Sequence, residues 1–215
     1  MELINLGGYP SIADQFLSEI RDLEKQSDRQ RFRNNMNRLG EIMAYEISKK
    51  LKYQAQQVIT PLATAQVSVL AEQPVLITVL RAGLPYFQGF LKYFDQADAG
   101  FIGAYRKEGE TEIKINFDYL ATPSLNDRTL ILIDPMLATG KSFIRSVNEL
   151  TRHGSPKHIH IASLITSPEG VRLLQANMKL PYTLWTFSVD EKLDSRYYIV
   201  PGLGDAGDLS YGEKL

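Results

Sequence analysis

The sequence predicts an α/β protein in which a parallel sheet is flanked by helices. From about residue 75 onward, short runs of β-favouring apolar residues alternate with segments whose apolar residues recur at helical spacing. Residues 75–80 and 130–133 are apolar at nearly every position, which is typical of strands buried on both faces. Charged residues follow both runs directly. This alternation favours right-handed crossovers, and ligands bind such sheets at the carboxyl ends of the strands.

Composition excludes several classes of protein. The chain has 215 residues, 44% of them hydrophobic, which suffices for the core of a single domain. A net charge of −1 gives no polybasic signal for nucleic acid or membrane, and no run approaches the roughly 18 apolar residues of a membrane span. The absence of cysteine excludes disulfides, thiolate zinc sites and a cysteine nucleophile. Because the N-terminus has no signal-peptide pattern, we expect a cytoplasmic protein.

Two helices are predicted at the N-terminus, in a helical part covering about residues 1–55. Ser11 and Asp14 have the spacing of a capping box. The stripe that follows consists of Ile12, Phe16, Leu17, Ile20 and Leu23. A longer helix over residues 29–51 has an apolar face of Phe32, Met36, Leu39, Met43 and Ile47. We interpret both faces as core or subunit packing. A short extended piece at 57–60 is closed by Pro61.

The core is predicted to span about residues 70–190. Its expected elements, in chain order, are a strand at 75–80, a helix at 84–93, strands at 101–105 and 130–133, a helix after 142, a strand at 158–165, a helix at 168–178 and a strand at 182–189. Around 113–117 apolar and polar residues alternate, which indicates a half-exposed strand and a flexible hairpin over 107–120.

Residues 129–142 form the central strand–loop–helix unit of the predicted site. Its strand ends in Asp134, and an eight-residue turn leads into a helical pattern. Thr139, Gly140 and Ser142 offer N–H groups and hydroxyls at the helix N-terminus, where an anion is stabilised. Lys141 is a cation in the first turn and opposes the helix dipole, so an anionic ligand there would explain it.

Three interpretations of this loop compete. The G-K-S at 140–142 fits a Walker A loop, but Pro135 stands where that motif needs glycine. An ordinary β–α turn, in which Asp134 merely caps, is the second. The third is a loop that binds phosphoribosyl diphosphate. Arg81 and Arg106 follow two neighbouring predicted strands, and their guanidinium groups suit a diphosphate, although salt bridges to nearby acids would also explain them.

Other catalytic patterns find no support. No G-x-S-x-G occurs, so acyl transfer by a serine elbow is not indicated. As metal ligands, His158 and His160 lack a third partner nearby. We interpret these two residues and His153 as structural or surface residues. Trp185 lies in a predicted strand and is expected in the core.

Seven segments together resemble the uracil phosphoribosyltransferase family, which belongs to the type I phosphoribosyltransferases. They are L-G-E-I-M-A-Y-E-I-S at 39–48, L-R-A-G at 80–83, Y-R at 105–106, D-P-M-L-A-T-G at 134–140, P-E-G at 168–170, D-E-K-L at 190–193 and Y-I-V-P-G-L-G-D-A-G-D at 198–208. The resemblance covers nearly the whole chain. It implies a type I phosphoribosyltransferase-like sheet with N-terminal helices, a flexible hairpin and a C-terminal hood loop at about 197–210.

The resemblance also implies a reaction and a set of site residues. Uracil and phosphoribosyl diphosphate would give UMP and diphosphate, with Mg²⁺ held mainly by the diphosphate. Catalytic roles fall to Asp134 and Arg106. The residues expected to bind phosphoribosyl diphosphate are Arg81, Arg106, Asp134, Pro135, Met136, Leu137, Ala138, Thr139, Gly140, Lys141, Ser142 and Asp205. Uracil would be bound by Ile199, Gly204, Asp205 and Ala206, largely through backbone groups.

The sequence departs from the family in two places. Lys141 stands where the family usually has glycine, and the hairpin at 107–120 matches poorly. These departures motivate two alternatives: a nucleotide-binding regulatory protein that has lost turnover, and a phosphoribosyltransferase for another base. We expect a homodimer or a larger homo-oligomer, and GTP, which activates some family members, is a candidate effector.

Overall fold

Short strands and helices alternate along most of the chain. The computed structural model describes residues 1–106 and 115–214, and the side chains of residues 104–118 lie outside that description. The strands of the described part are β1 (Glu2–Asn5), β2 (Tyr53–Ile59), β3 (Thr64–Leu70), β4 (Val75–Leu80), β5 (Asp98–Arg106), β6 (Ile115–Ala121), β7 (Thr129–Ile133), β8 (Met136–Leu137), β9 (His158–Ala162), β10 (Ile165–Thr166), β11 (Tyr182–Thr186), β12 (Ser188–Val189), β13 (Lys192–Leu193) and β14 (Ile199–Val200). The helices are α1 (Ile12–Arg21), α2 (Arg29–Ser48), α3 (Gly83–Leu91), α4 (Lys141–Leu150), α5 (Pro168–Asn177) and α6 (Ala206–Tyr211).

The main sheet has seven strands in the order β1-β11-β9-β7-β4-β5-β6, with β7 at its centre. Every neighbouring pair is parallel except β5 and β6, which are antiparallel. Ile133 is paired with Thr78 on one side and Ala162 on the other, so β4, β7 and β9 end at nearly the same level. The residues that follow these strands therefore emerge at one edge of the sheet. The predicted parallel α/β fold is confirmed.

Two apolar layers cover the two faces of the sheet. Ile131 and Ile133 pack with α1, α2 and α3, whereas Leu130 and Leu132 pack with α4 and α5 on the opposite face. Successive side chains of a strand point to opposite faces, so a strand covered on both sides has to be apolar throughout. This explains the uninterrupted apolar run of β7. Trp185 is buried, as expected.

The N-terminal part agrees with the sequence prediction in outline. The capping box is present, with the Ser11 N–H donating to Asp14 Oδ2 at 2.7 Å. The predicted apolar stripe of the first helix extends too far, because α1 ends at Arg21 and Leu23 is exposed beyond it. Strand β1 was missed, since four residues are too few to show a period. It pairs with β11 at one end of the sheet.

Other boundaries differ for similar reasons. The predicted extended piece at 57–60 is the end of β2, which forms a hairpin with β3 outside the main sheet. The predicted strands at 158–165 and 182–189 each break in two. Their second parts, β10 and β12, pair with each other, and β10 also pairs with β8, so that the three form a second sheet in the order β12-β10-β8. Residues 107–114 lie outside the described part, so the expected flexible hairpin is not tested there. Among the described helices, none is long and apolar enough to cross a lipid bilayer.

Candidate active site

A cleft of about 580 Å³ opens at the carboxyl ends of the central strands. It lies between the loop that follows β7 and the C-terminal segment from Tyr197 to Lys214. Most of the residues predicted for the site line this cleft: Arg81, Asp134, Met136, Ala138, Thr139, Gly140, Ser142, Ile199, Gly204, Asp205 and Ala206. Segments that are more than fifty residues apart in sequence thus meet around one space.

Four predicted residues are placed differently. Pro135 and Leu137 are buried beneath the cleft, and Lys141 is exposed without lining it. Arg106 ends β5, beside β4, but its side chain lies outside the described part. Pro135 and Leu137 therefore support the loop by packing.

The loop after β7 is held from behind by the start of α5. Ser167 donates its hydroxyl to the Ala138 carbonyl at 2.7 Å, and its N–H donates to the Leu137 carbonyl at 2.9 Å. Gly170 allows this close approach, because a Cβ at that position would meet the Ala138 carbonyl oxygen at 2.4 Å. The P-E-G segment at 168–170 thus does not line the cleft, and it supports the loop after β7 from the side away from the cleft.

Helix α4 begins at the cleft, and the side-chain hydrogen bond at its start is a long one, from the Lys141 N–H to Thr139 Oγ1 at 3.4 Å. Gly140 is the N-cap residue, has a φ of +77° and makes no side-chain capping bond. The first N–H groups of a helix lack intrahelical partners and carry partial positive charge. Thr139 and Ser142 line the same space, so the N-terminus of α4 is suited to bind an anionic group.

Asp134 is fixed at the centre of the site. Its carboxylate accepts a hydrogen bond from the Met136 N–H at 3.1 Å, and its own N–H donates to the Ala162 carbonyl at 3.1 Å. The residue is half-buried and lines the cleft. The capping role that the sequence left open for Asp134 is therefore present, and it leaves the carboxylate at the cleft wall.

Arg81 joins the end of β4 to the C-terminal helix. Its Nη2 donates to Asp208 Oδ1 at 2.9 Å and to the Gly212 carbonyl at 3.1 Å. Its Nε is buried and has no hydrogen-bond partner among the residues the structure describes. The salt-bridge alternative for Arg81 thus holds, and the same side chain still lines the cleft.

The glycine-rich C-terminal run was predicted as a loop through Asp208, and this was wrong at its end. Helix α6 starts at Ala206, because Asp205 Oδ1 accepts hydrogen bonds from Gly207 N at 2.8 Å and Asp208 N at 3.0 Å. The hood loop, expected at about residues 197–210, therefore ends before α6, and we use that name below for residues 199–205. Gly202 and Gly204 have φ of +61° and +91°, values that favour glycine.

A buried ion pair lies behind the hood loop. Arg21 binds the Asp190 carboxylate with both terminal nitrogens, at 2.7 and 2.8 Å. Burial alone would raise the pKa of Asp190. Hydrogen bonds from Arg21, Ser188 and Gly202, together with the Arg21 charge, outweigh this effect and hold the pKa of Asp190 below its ordinary value. Asp190 is therefore a carboxylate at neutral pH.

Sequence reasoning missed several cleft residues. Tyr197 and Tyr198 stand at the rim with partly exposed rings, and Glu213 and Lys214 line the cleft from the C-terminal side. Tyr198 is the first residue of the family-like segment at 198–208, but the sequence predicted no role for it. An aromatic pair directly before the glycine-rich run was the available signal for these rings, whereas nothing in the sequence marked Glu213 and Lys214.

Fold and site together define an α/β protein of the type I phosphoribosyltransferase class, in which the loop after β7 faces the glycine-rich hood loop. The uracil phosphoribosyltransferase family model matches residues 10–212. Similar proteins named uracil phosphoribosyltransferase include one from Porphyromonas gingivalis, 49% identical over 100% of both chains, and one from Methanothermobacter thermautotrophicus, 40% identical over 84% of this chain and 83% of that one. The chain therefore belongs to the uracil phosphoribosyltransferase family.

Solved structures share the fold of this chain. The AQ2163 protein from Aquifex aeolicus superimposes with a TM-score of 0.86 at 29% identity, covering 98% of both chains. The TT1426 protein from Thermus thermophilus gives a TM-score of 0.51 at 15% identity, covering 83% of this chain and 94% of that one, and shows likeness of fold alone.

Proposed function

We propose that this protein transfers the phosphoribosyl group of phosphoribosyl diphosphate to uracil, giving UMP and diphosphate. One observation carries the proposal: the N-terminus of α4 and the hood loop face each other across a single cleft. A helix N-terminus suits phosphate, and a glycine-rich loop suits a small planar base. Membership of the family supports this reaction over the regulatory alternative.

The phosphoribosyl side would be bound by the loop after β7. Thr139, Ser142 and the first N–H groups of α4 would hold the 5′-phosphate, and Arg81 and Arg106 would face the diphosphate. Asp134 would accept hydrogen bonds from the ribose hydroxyls. Its negative charge would also favour cationic character at the ribose C1 carbon.

The base side would be bound by the hood loop. Ile199 would cover one ring face, and the backbone of residues 204–206 would meet the ring edge. Fixed N–H and C=O groups cannot rotate, so they discriminate between uracil and cytosine, whose donors and acceptors differ. The rings of Tyr197 and Tyr198 lie where they would narrow the mouth of the cleft.

Charge balance supports a requirement for a divalent cation. Among the described side chains that line the cleft, Arg81 and Lys214 are cationic, whereas Asp134, Asp205 and Glu213 are anionic. A diphosphate would therefore enter a site without excess positive charge. The carboxylates and the hydroxyls of Thr139 and Ser142 are the hard oxygen donors that Mg²⁺ prefers.

The donor set fits Mg²⁺ held mainly by the substrate. No cluster of three or more histidine, cysteine or acidic side chains that could hold a metal occurs within the described ranges. Asp134 and Asp205 are the carboxylates available to complete the coordination of a diphosphate-bound ion. When bound, Mg²⁺ would supply neutralising charge to the diphosphate leaving group.

The reaction needs positioning and electrostatics more than a nucleophile. The C1–O bond to diphosphate breaks while a bond forms between C1 and the base nitrogen on the opposite face. The electrons of the C1–O bond leave with the diphosphate oxygen, and the proton of the base nitrogen is released to solvent. The protein contributes by holding both reactants in line and by placing Asp134 beside the developing positive charge. No covalent intermediate with the protein is required.

UMP formation tests the proposal. Purified protein with phosphoribosyl diphosphate, MgCl₂ and uracil should release UMP and diphosphate in equal amounts. Cytosine should react at least a hundredfold more slowly. Binding of phosphoribosyl diphosphate without turnover of any base would favour the regulatory alternative, and faster turnover of another base would replace uracil in the proposal. Homo-oligomer formation, a GTP effector and a cytoplasmic location stay predictions from the sequence.

A further inference from the structure

The backbone of Gly202 is held by side chains that do not line the cleft. Its N–H donates to Asp190 Oδ2 at 2.9 Å, and its carbonyl accepts from Arg21 Nη1 at 2.9 Å. Arg21 is the last residue of α1, about 180 residues earlier in the chain. We call Arg21, Ser188, Asp190 and Gly202 the Arg21 clamp.

The Arg21 clamp is a closed network with every carboxylate oxygen used. Asp190 Oδ1 accepts from Arg21 Nη2 at 2.7 Å and from Ser188 Oγ at 2.7 Å, while Oδ2 accepts from Arg21 Nη1 at 2.8 Å and from Gly202 N. The Asp190 side chain is 2% exposed and that of Arg21 is 20% exposed. A bidentate pair away from water holds its geometry far better than an exposed one.

The hood loop needs such external support. Gly202 has a φ of +61° and Gly204 a φ of +91°, and glycine loses more conformational freedom on ordering than any other residue. A Cβ at Gly202 would meet the Ile199 carbonyl oxygen at 2.0 Å, so the turn is also tightly closed. Backbone groups that read a ligand cannot correct their position by changing rotamer. Their accuracy therefore depends on what anchors the chain.

We propose that Arg21, Ser188 and Asp190 are positioning residues that fix the hood loop and thereby set the affinity for the nucleobase. This inference rests on the proposed function, in which residues 199–206 bind the base. It assigns α1 a part in the base site, although the apolar pattern of that helix indicated only packing. The hydrogen bonds of the clamp side chains do not involve the loop after β7, whose nearest strand, β8, is separated from Ser188 by β10. The affinity for phosphoribosyl diphosphate should therefore be independent of the clamp.

Steady-state kinetics of clamp variants test the inference. Arg21→Lys keeps a positive charge but loses the two-pronged bond, and Asp190→Asn removes the charge. Each is expected to raise KM for uracil at least tenfold while KM for phosphoribosyl diphosphate stays within twofold. The double variant should be no worse than Asp190→Asn, because the residues act as a unit. Ser188→Ala removes one hydrogen bond and should raise KM for uracil two- to fivefold.

Glu19→Gln is the matched control. Glu19 also lies on α1, accepts a hydrogen bond from Asn35 at 2.7 Å and pairs with Arg31, all away from the hood loop. It should lower the melting temperature without changing the KM for either substrate by more than twofold. A parallel rise of both KM values in Arg21→Lys, or an unchanged KM for uracil in Ser188→Ala and Arg21→Lys, would overturn the inference.

Hydrogen exchange separates this inference from the proposed function. Amides at residues 203, 204, 206 and 207 should exchange at least tenfold faster in Arg21→Lys than in the wild type or in Glu19→Gln. This measurement needs no turnover. If the wild type failed to make UMP while exchange rose as expected, the proposed function would be wrong and the clamp would stand. Unchanged exchange in an active enzyme would remove the clamp and leave the function intact.

Discussion

Asp134 shows how one residue links sequence, fold and chemistry. It follows the apolar strand β7 directly, and a carboxylate there ends the buried run at the sheet edge. The Met136 N–H fixes the carboxylate at the cleft wall. Position and chemical type were both readable from the sequence, because a polar residue after a doubly buried strand has to face the crevice.

Asp134→Asn should reduce kcat about a hundredfold, which corresponds to about 3 kcal/mol of lost transition-state stabilisation. The amide oxygen can still accept from Met136 N, so the loop should keep its shape and both KM values should stay within about threefold. Steady-state kinetics with varied uracil and varied phosphoribosyl diphosphate provide the measurement. If kcat remained within a factor of two of the wild type, the role given to Asp134 would be wrong.

Lys141 tests whether a charge outside the cleft still acts on the ligand. Lys141→Met removes the charge and keeps a good helix former at the first position of α4. We expect KM for phosphoribosyl diphosphate to rise two- to fivefold at low ionic strength and less at high salt, because salt screens exposed charges.

Lys141→Gly restores the residue usual in the family and serves as the companion variant. It should show the same salt dependence as Lys141→Met, with a small additional loss of stability from backbone freedom. An unchanged or lower KM at low ionic strength in both variants would show that Lys141 has no influence on binding.

At the scale of whole elements, helix α6 is joined to the end of β4 by the ion pair between Asp208 and Arg81. The helix is short, it follows a glycine-rich run, and its cap is Asp205. Six residues give no helical period to read, which is why the sequence predicted only a loop. The missed hairpin of β2 and β3 has a related cause: its residues are mostly exposed, so no apolar face distinguishes it. Long elements with an apolar buried face were predictable, whereas short or mostly exposed elements were not.

Arg81→Ala is expected to raise KM for phosphoribosyl diphosphate at least tenfold. The free energy of unfolding should fall by no more than about 1 kcal/mol, because the Arg81 and Asp208 side chains are each about one-third exposed and such pairs contribute little. Urea denaturation of the unliganded protein gives the second number.

Asp208→Asn breaks the same ion pair and keeps the guanidinium group in the cleft. Its loss of stability should match that of Arg81→Ala, while KM for phosphoribosyl diphosphate should not rise. Equal increases of KM in both variants would mean that Arg81 acts by holding α6, and not by binding the ligand.

At the scale of the whole molecule, burial of histidine in the sheet links stability to pH. His160 is 3% exposed, and its Nδ1 accepts a hydrogen bond from Trp185 Nε1 at 3.1 Å. Burial, together with the charges of His158 and Lys50, lowers the pKa of His160 from 6.5 to about 3. Burial lowers the pKa of His158 in the same direction. His160 is therefore neutral in the folded protein at pH 5, whereas the unfolded chain is protonated there.

The unfolded state binds more protons between about pH 6.5 and pH 3, so stability should fall as the solution is acidified through this window. From pH 7 to pH 5, His160 alone should account for about 2 kcal/mol. His160→Gln should reduce the pH dependence by that amount, as measured by urea denaturation at pH 7, 6 and 5. His153→Gln, at an exposed position after α4, is the control for replacing a histidine by glutamine. Equal slopes in His160→Gln and wild type would contradict the assignment.

The central sheet and the residues at its strand ends were predictable from the sequence, whereas contacts between distant segments were not. Buried strands, crossovers and the residues at strand ends follow from apolar patterning, and the motifs located both walls of the cleft. Contacts such as Arg21 with Asp190 were not predictable, because no local pattern relates two residues separated by 169 positions. Only the folded chain shows that α1 reaches the hood loop.

The position of β1 in the sheet has a consequence for synthesis on the ribosome. Translation delivers residues 2–5 long before their partner β11, which is made only when residues 182–186 emerge. Through most of elongation the nascent N-terminal segment thus has no strand to pair with, and Arg21 has no carboxylate to bind. Ordering between distant segments is slow relative to local helix formation. Strand β1 therefore leaves the ribosome well before β11 but takes its place in the sheet only after β11 has been made.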